Sequence, residues 1–185
     1  MTEELKKRLD KKRYLHSLGV AKLAMELAKR FGENPDKAYT AGILHDCAKN
    51  IPYDEAIKLC EEFKIELNEV EKKNPALIHA PLGAEVAKRD FGILDTDIYN
   101  AIKNHTVGRC GMTLLEKIVY VSDMAEESRM FEGVLDIREA LLRDLDEAVL
   151  MALVFSLKFN IDRGKLIHSG TIEAYNDIKI RRENK

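Results

Sequence analysis

Apolar residues along this chain recur at intervals of three and four, the period of a helix that buries one face. Leu5, Leu9, Leu15, Leu18, Ala21, Met25, Ala28 and Phe31 describe a long first helix that stops at Gly32. Asn34-Pro35 then supplies an N-cap and a first-turn proline for a helix running to about Ala48. Asp54, after Pro52, is placed to cap a third helix through about Phe63, and the charged stretch from Glu66 to Asn74 holds a short one. Pro81 opens a helix ending near Phe91-Gly92, and Asp95 caps the next, which carries His105 at its far end. Thr113 begins a longer helix through Asp123 to about Ser128. Two more follow, Asp136 to Phe159 with a break near Asp144, and Thr171 to Arg181.

No alternating strand of useful length interrupts this pattern. The longest β-branched cluster, Ile118-Val119-Tyr120-Val121, continues the helical face set by Leu114, Leu115 and Ile118. The pattern predicts an all-α helical bundle, one domain over residues 1–185, without internal repeat or low-complexity linker. A chain of 185 residues is long enough for one substantial core and short for two.

Hydrophobic residues make up 45% and charged ones 34%, a globular balance. With 30 basic and 32 acidic residues the net charge is -2, so no global basic field invites nucleic acid or anionic lipid. An anionic ligand must be held by local cations. The N-terminal residues lack the apolar core of a signal peptide, and no stretch approaches the ~20 apolar residues of a membrane span. Cys47, Cys60 and Cys110 form no CxxC pair. Free thiols in a reducing cytoplasm are the expectation, with neither nucleic acid nor membrane as partner. A homodimer is compatible with everything in the sequence.

Five histidines stand in the chain, and four of them join two aspartates in the series His16, His45-Asp46, His79, His105, Asp123; only His168 lies outside it. Singly, a histidine on a helix is more often a hydrogen-bonded or surface residue than a ligand. Joint placement decides otherwise. His45-Asp46 closes the apolar run Ala41-Gly42-Ile43-Leu44, and Asp123 follows Ile118 to Ser122 inside a helix where another apolar residue is expected. A buried carboxylate is costly unless a cation neutralises it. Imidazole and carboxylate donors suit Fe, Mn, Co, Ni or Zn, and the absence of a cysteine pair argues against a closed structural zinc site. His16, His45, Asp46 and Asp123 would hold one ion. His79 and His105 would hold a second, with Asp46 bridging, or would donate hydrogen bonds to a phosphate. Lys49, Arg109 and Arg129 lie near the series and suit a phosphate; Gly108 permits a tight turn that brings backbone N–H groups and Thr106 toward an anion.

These residues resemble the metal-ligand signature of the HD-domain phosphohydrolases. The fuller pattern is similar to the YqeK-type symmetrical bis(5′-nucleosyl)-tetraphosphatases of bacteria. The matching pieces are Arg13-Tyr14-Leu15-His16-Ser17, His45-Asp46-Cys47-Ala48-Lys49, His79-Ala80-Pro81-Leu82-Gly83-Ala84, His105-Thr106-Val107-Gly108-Arg109, Asp123 with Arg129, and Thr171-Ile172-Glu173-Ala174-Tyr175-Asn176. The chain departs at Ser122, at Met124-Ala125-Glu126-Glu127 and at Ser169, while keeping Glu126 and Arg129. The resemblance implies a single HD domain that cuts diadenosine tetraphosphate to two ADP with a metal-activated water, the metal being iron. It assigns His16, His45, Asp46 and Asp123 to the metal. Lys49, His79, His105, Thr106, Arg129 and the segment at Thr171 then lie near the nucleotide. The chemistry of the reaction suggests catalytic roles for Asp46 as proton acceptor from the water, for Lys49, with Arg109 and Arg129, as stabiliser of transition-state charge, and for His79 or His105 as acid toward the leaving ADP if neither holds a second metal. Two rival readings are another HD phosphohydrolase activity, on a nucleoside monophosphate or a cyclic or alarmone nucleotide, and a catalytically silent ligand-sensing module.

Overall fold

The computed structural model describes residues 2–184 and, among them, contains helices and no strands. The helices are α1 (Thr2–Arg8), α2 (Lys11–Phe31), α3 (Pro35–Leu44), α4 (Tyr53–Glu62), α5 (Glu69–Lys73), α6 (His79–Phe91), α7 (Thr96–Asn104), α8 (Leu114–Ala125), α9 (Val134–Leu141), α10 (Leu145–Asp162) and α11 (Ser169–Glu183), with a single 3₁₀ turn at Pro75–Leu77. The all-α expectation holds.

α8 is the axis of the bundle. It packs against α2, α3, α7, α9 and α10, and Leu115, Ile118, Val119, Tyr120, Val121 and Ala125 on it are all buried. A helix apolar almost all round belongs in the middle of a core, which is why its β-branched run is helical. α6 packs on α7, and α11 closes the far side against α10. No helix is long and apolar enough to cross a membrane. Cys47 and Cys60 are buried free thiols and Cys110 is exposed; burial pushes the Cys47 thiol up to about 12.

The element boundaries differ from the sequence expectation where local hydrogen bonding competes with periodicity. The first helix is two: Asp10 breaks it, its carboxylate accepting from Arg13 N at 2.9 Å as the N-cap of α2. The second stops at Leu44 instead of Ala48. Beyond it the chain turns with N–H groups donating three residues back, Cys47 N to Leu44 O at 3.0 Å and Lys49 N to Asp46 O at 2.9 Å. Asp54 lies inside the first turn of α4 and does not cap it; Pro52 occupies that position. α6 begins at His79, two residues ahead of Pro81, and α8 ends at Ala125. α11 starts at Ser169, capped by His168, whose Nδ1 accepts from Gly170 N at 3.0 Å.

α2 and α3 form the most extensive helix pair in the bundle, and Gly42 is the reason they come so close. A Cβ at Gly42 would lie 2.8 Å from Ala21 Cα and 3.1 Å from Ala21 N, both backbone atoms that cannot step aside. Gly42→Ala is therefore expected to destabilise the protein by about 1–3 kcal/mol. A chemical-denaturation midpoint equal to that of the parent would contradict this.

Candidate metal centre and phosphate site

Four imidazole rings stand in a row at the heart of the bundle. His16 on α2 meets His45 at the end of α3 with ring centroids 5.2 Å apart, His45 meets His105 at the end of α7 at 4.9 Å, and His105 meets His79 at the start of α6 at 5.0 Å. All four are buried. Asp123 flanks the row at one end, its Oδ1 lying 2.9 Å from His16 Nε2 and 3.8 Å from His45 Nε2. Asp46 spans the middle: Oδ2 lies 3.3 Å from His45 Nε2, and Oδ1 lies 3.1 Å from His79 Nε2 and 3.7 Å from His105 Nε2. The structure thus brings all six residues of the series together. His16, His45 and Asp123, and likewise His45, Asp46 and His105, offer ligand atoms within 4.8 Å of one another.

Hydrogen bonds at the outer nitrogen fix which way each imidazole faces. His45 Nδ1 donates to Gly42 O, His79 Nδ1 to Ala76 O and His105 Nδ1 to Ile102 O, each at 2.7 Å. A carbonyl only accepts, so Nδ1 carries the proton in all three and the Nε2 lone pair points inward. His16 Nδ1 lies 2.9 Å from the Glu126 carboxylate, again as donor. The fit to a metal rests on what this leaves behind. His45 Nε2 is fully buried and has no hydrogen-bond partner among the described residues, while His79 and His105 point Nε2 atoms at each other across 3.1 Å. A buried lone pair without a donor, as at His45, is costly, and a cation among the row and the two carboxylates removes that cost. The donor set, imidazole nitrogens with carboxylate oxygens, suits a divalent transition metal.

The electrostatics agree. Burial pushes Asp46 up, but its interactions with the His45, His105 and His79 imidazoles outweigh it and hold the carboxyl well below its usual range. Asp123 is likewise held far down despite burial, by His16, His45 and Arg129. Burial lowers Lys49, with Asp46 opposing, and lowers His79 to about 4.

Lys49, Thr106 and Arg129 lie against the cluster. Lys49 Nζ is 3.2 Å from both His79 ring nitrogens, even though the chain is no longer helical there. Thr106 Oγ1 lies 3.4 Å from His79 Nε2 and 3.2 Å from His105 Nε2. Arg129 donates from Nε to Asp123 O at 2.7 Å, and its Nη2 contacts Asp123 Oδ1 and His16 Nε2.

Arg109 stands off the histidine row, on the wall of a neighbouring cleft. Its guanidinium makes a two-pronged pair with buried Glu116, both bonds 2.7 Å, and Glu116 also accepts from Thr113 N, closing the capping box of α8. Thr171 is buried in the first turn of α11, where Ser169 and Gly170 line a cleft in its stead. That cleft depends on Gly108, whose φ of +71° lets its carbonyl approach to 2.9 Å from where a Cβ of Gly170 would sit. His168 stays outside the cluster, hydrogen-bonded to Asn68 at 2.8 Å.

Two site residues escaped the sequence reasoning. Arg13 donates to Asp46 Oδ2 at 2.8 Å; its position one turn before His16 was the available signal. Glu126 was seen only as a retained residue, because nothing in its neighbourhood says that α8 ends one residue earlier and turns its side chain back onto His16.

Two clefts open beside the cluster. One, of about 240 Å³, is lined by Lys49, Ile51, Tyr53, Pro75, Ala76 and His79; the other, of about 270 Å³, by Thr106, Gly108, Arg109, His168 and Gly170 among others. Larger grooves of about 550 and 810 Å³ run past Gly19 and Leu23 on α2, and past residues of α9, α10 and α11.

A helical bundle whose core is threaded by histidines and an adjacent His-Asp pair defines a class, and the HD domain family matches residues 13–147. Relatives narrow it. The symmetrical bis(5′-nucleosyl)-tetraphosphatase of Bacillus subtilis is 39% identical over 172 residues, covering 93% of this chain and 92% of that one. The enzyme of the same name from Staphylococcus aureus is 31% identical, covering 92% and 89%. A crystal structure from Clostridium acetobutylicum, described as a predicted HD superfamily hydrolase involved in NAD metabolism, is 43% identical and superposes with a TM-score of 0.94 over 97% of this chain and 95% of that one. The chain belongs to the HD-domain family and, inside it, to the branch of the symmetrical bis(5′-nucleosyl)-tetraphosphatases. Membership implies a divalent metal, in agreement with the donor set.

Two outcomes are expected from substitution here. Asp46→Ala removes the carboxylate shared by three histidines and should abolish retention of metal, measured by elemental analysis of the purified protein; His168→Ala should leave metal content unchanged. Arg109→Ala should act on stability, since buried Glu116 loses its ion-pair partner and keeps only the Thr113 and Asn104 hydrogen bonds, at about 1–3 kcal/mol. Arg109→Ala combined with Glu116→Gln should recover most of that loss in the denaturation midpoint.

Proposed function

We propose that this chain, read as one catalytic domain over residues 1–185, hydrolyses dinucleoside polyphosphates and cuts diadenosine tetraphosphate at its centre to give two ADP. The observation that carries the reading is the His-Asp cluster joined to three cations, Arg13, Lys49 and Arg129, with the two clefts adjoining at His79 and Thr106. Relatives that match it over nearly their full length bear the name of that activity. A polyphosphate needs charge neutralisation at its oxygens, and each cleft offers room for a nucleoside arm.

His16, His45, Asp46 and Asp123 are assigned to the metal. Iron is the metal we favour, with Mn, Co, Ni and Zn allowed by the same donors. When bound, such a metal supplies Lewis acidity and lowers the pKa of a coordinated water. Lys49 favours one of the two roles open to His79 and His105. An ammonium 3.2 Å from His79 repels a second dication and attracts a phosphate, so a single ion with a phosphate at the His79 end is the consistent arrangement.

The residues then divide the work. Lys49, Thr106 and Arg129 hold the phosphate oxygens where charge spreads in the transition state. Water adds to one central phosphorus, the bridging P–O bond breaks, and the departing ADP takes up a proton. Asp46 Oδ1 lies 3.1 Å from His79 Nε2, so a proton taken from the water has a short path to the His79–His105 pair and on to the leaving oxygen. We place the enzyme in the cytoplasm, active on nucleotides alone or as a homodimer, without nucleic acid or membrane as partner.

The test is a nucleotide panel with products resolved by chromatography. ADP should be the sole product from diadenosine tetraphosphate. Release of ATP and AMP would refute symmetrical cleavage, and turnover of a nucleoside monophosphate with the tetraphosphate untouched would refute the substrate. Lys49→Ala should lower kcat/KM by about 100-fold with metal content preserved.

A further inference from the structure

Among the four histidines of the row, His16 is held differently from the rest. His45, His79 and His105 each spend Nδ1–H on a neutral carbonyl three residues back in their own segment. His16 spends its own on a carboxylate, Glu126, from a segment 110 residues away. Glu126 is itself buried and fixed: it accepts from Ser128 N at 2.8 Å through Oε2, and from the Ser128 hydroxyl through Oε1. It also lies directly over Gly19, one turn along α2 from His16, where a Cβ would come within 2.6 Å of Glu126 Oε2. The end of a glutamate could normally swing clear of such a contact, but here it would have to release Ser128 and His16 to do so.

We infer that Glu126 is a positioning residue for the metal centre, which holds the His16 ring in place and fixes its tautomer, and that Gly19 is required to seat it. A carboxylate behind a ligating imidazole raises the basicity of the inward nitrogen more than a carbonyl does. The chain achieves this with one residue just beyond the end of α8. The inference rests on the metal reading of this site.

The test uses full-length metal-free protein titrated with Co²⁺. Glu126→Gln keeps shape and hydrogen-bond acceptor but removes the charge, and should weaken Co²⁺ affinity by about 10- to 100-fold while the thermal midpoint of the metal-free protein is preserved. Gly19→Ala should weaken it comparably, and the double variant should lose less than the two single losses combined, because both act through one carboxylate. Equal affinity of parent and both single variants would overturn the inference, as would strict additivity in the double variant. A second readout needs no metal: long-range ¹H–¹⁵N spectra of the metal-free protein should show His16 protonated at Nδ1 in the parent, and a deprotonated Nδ1 would also overturn it. Failure of the parent to bind Co²⁺ would instead remove the metal reading itself, and the inference with it.

Discussion

Two carboxylates inside an apolar bundle are the constraint around which this protein is arranged. Asp46 is almost fully buried and Asp123 largely so, and either alone would be expelled or protonated if no positive partner met it. The structure answers with imidazoles on four separate helices and guanidiniums from two more positions. Each of these partners must be carried to one place, so the packing of α2, α3, α6, α7 and α8 is dictated by the site as much as by apolar area. The close contact of α2 and α3 at Gly42 and Ala21 is the same requirement seen from the backbone: without it His16 and His45 would not share a centre.

Much of this was legible in the chain itself. Period and punctuation gave the helices because most of them carry side-chain caps, as at Asn34, Asn68, Asp95, Thr113 and Asp144. The series from His16 to Asp123 could be read because charged residues interrupting an apolar helix are conspicuous. What escaped reading depends on distant partners. Asp10 splits the first helix although the apolar period runs on through it, and its cap is held in place by a distant partner, Asn50, which donates to it at 3.0 Å. Arg109 looked like a phosphate ligand by its proximity in sequence to His105, yet Glu116 claims it seven residues on. Glu126 sat in plain view, but its partner lies at the other end of the chain.

Arg109 and Glu126 make a useful pair. Both are charged residues at the edges of α8, and each satisfies a buried polar group. Arg109 steadies the start of that helix by engaging the glutamate of its capping box. Glu126 works just past its end. The axis of the bundle is thus tied at both extremities by charge, and Asp123 is presented from a helix whose ends are fixed.

The ends of the other helices carry a consequence of their own. His45 is the C-cap of α3, His105 the C-cap of α7, and Asp123 lies in the last turn of α8, so three helices direct the negative ends of their macrodipoles at one region. His79 does the opposite, standing at the first position of α6, where the dipole is positive. The backbone alone therefore lays down a gradient along the histidine row, favouring a cation at one end and an anion at the other. That polarity is set by how the chain folds, ahead of any contribution from its charged side chains.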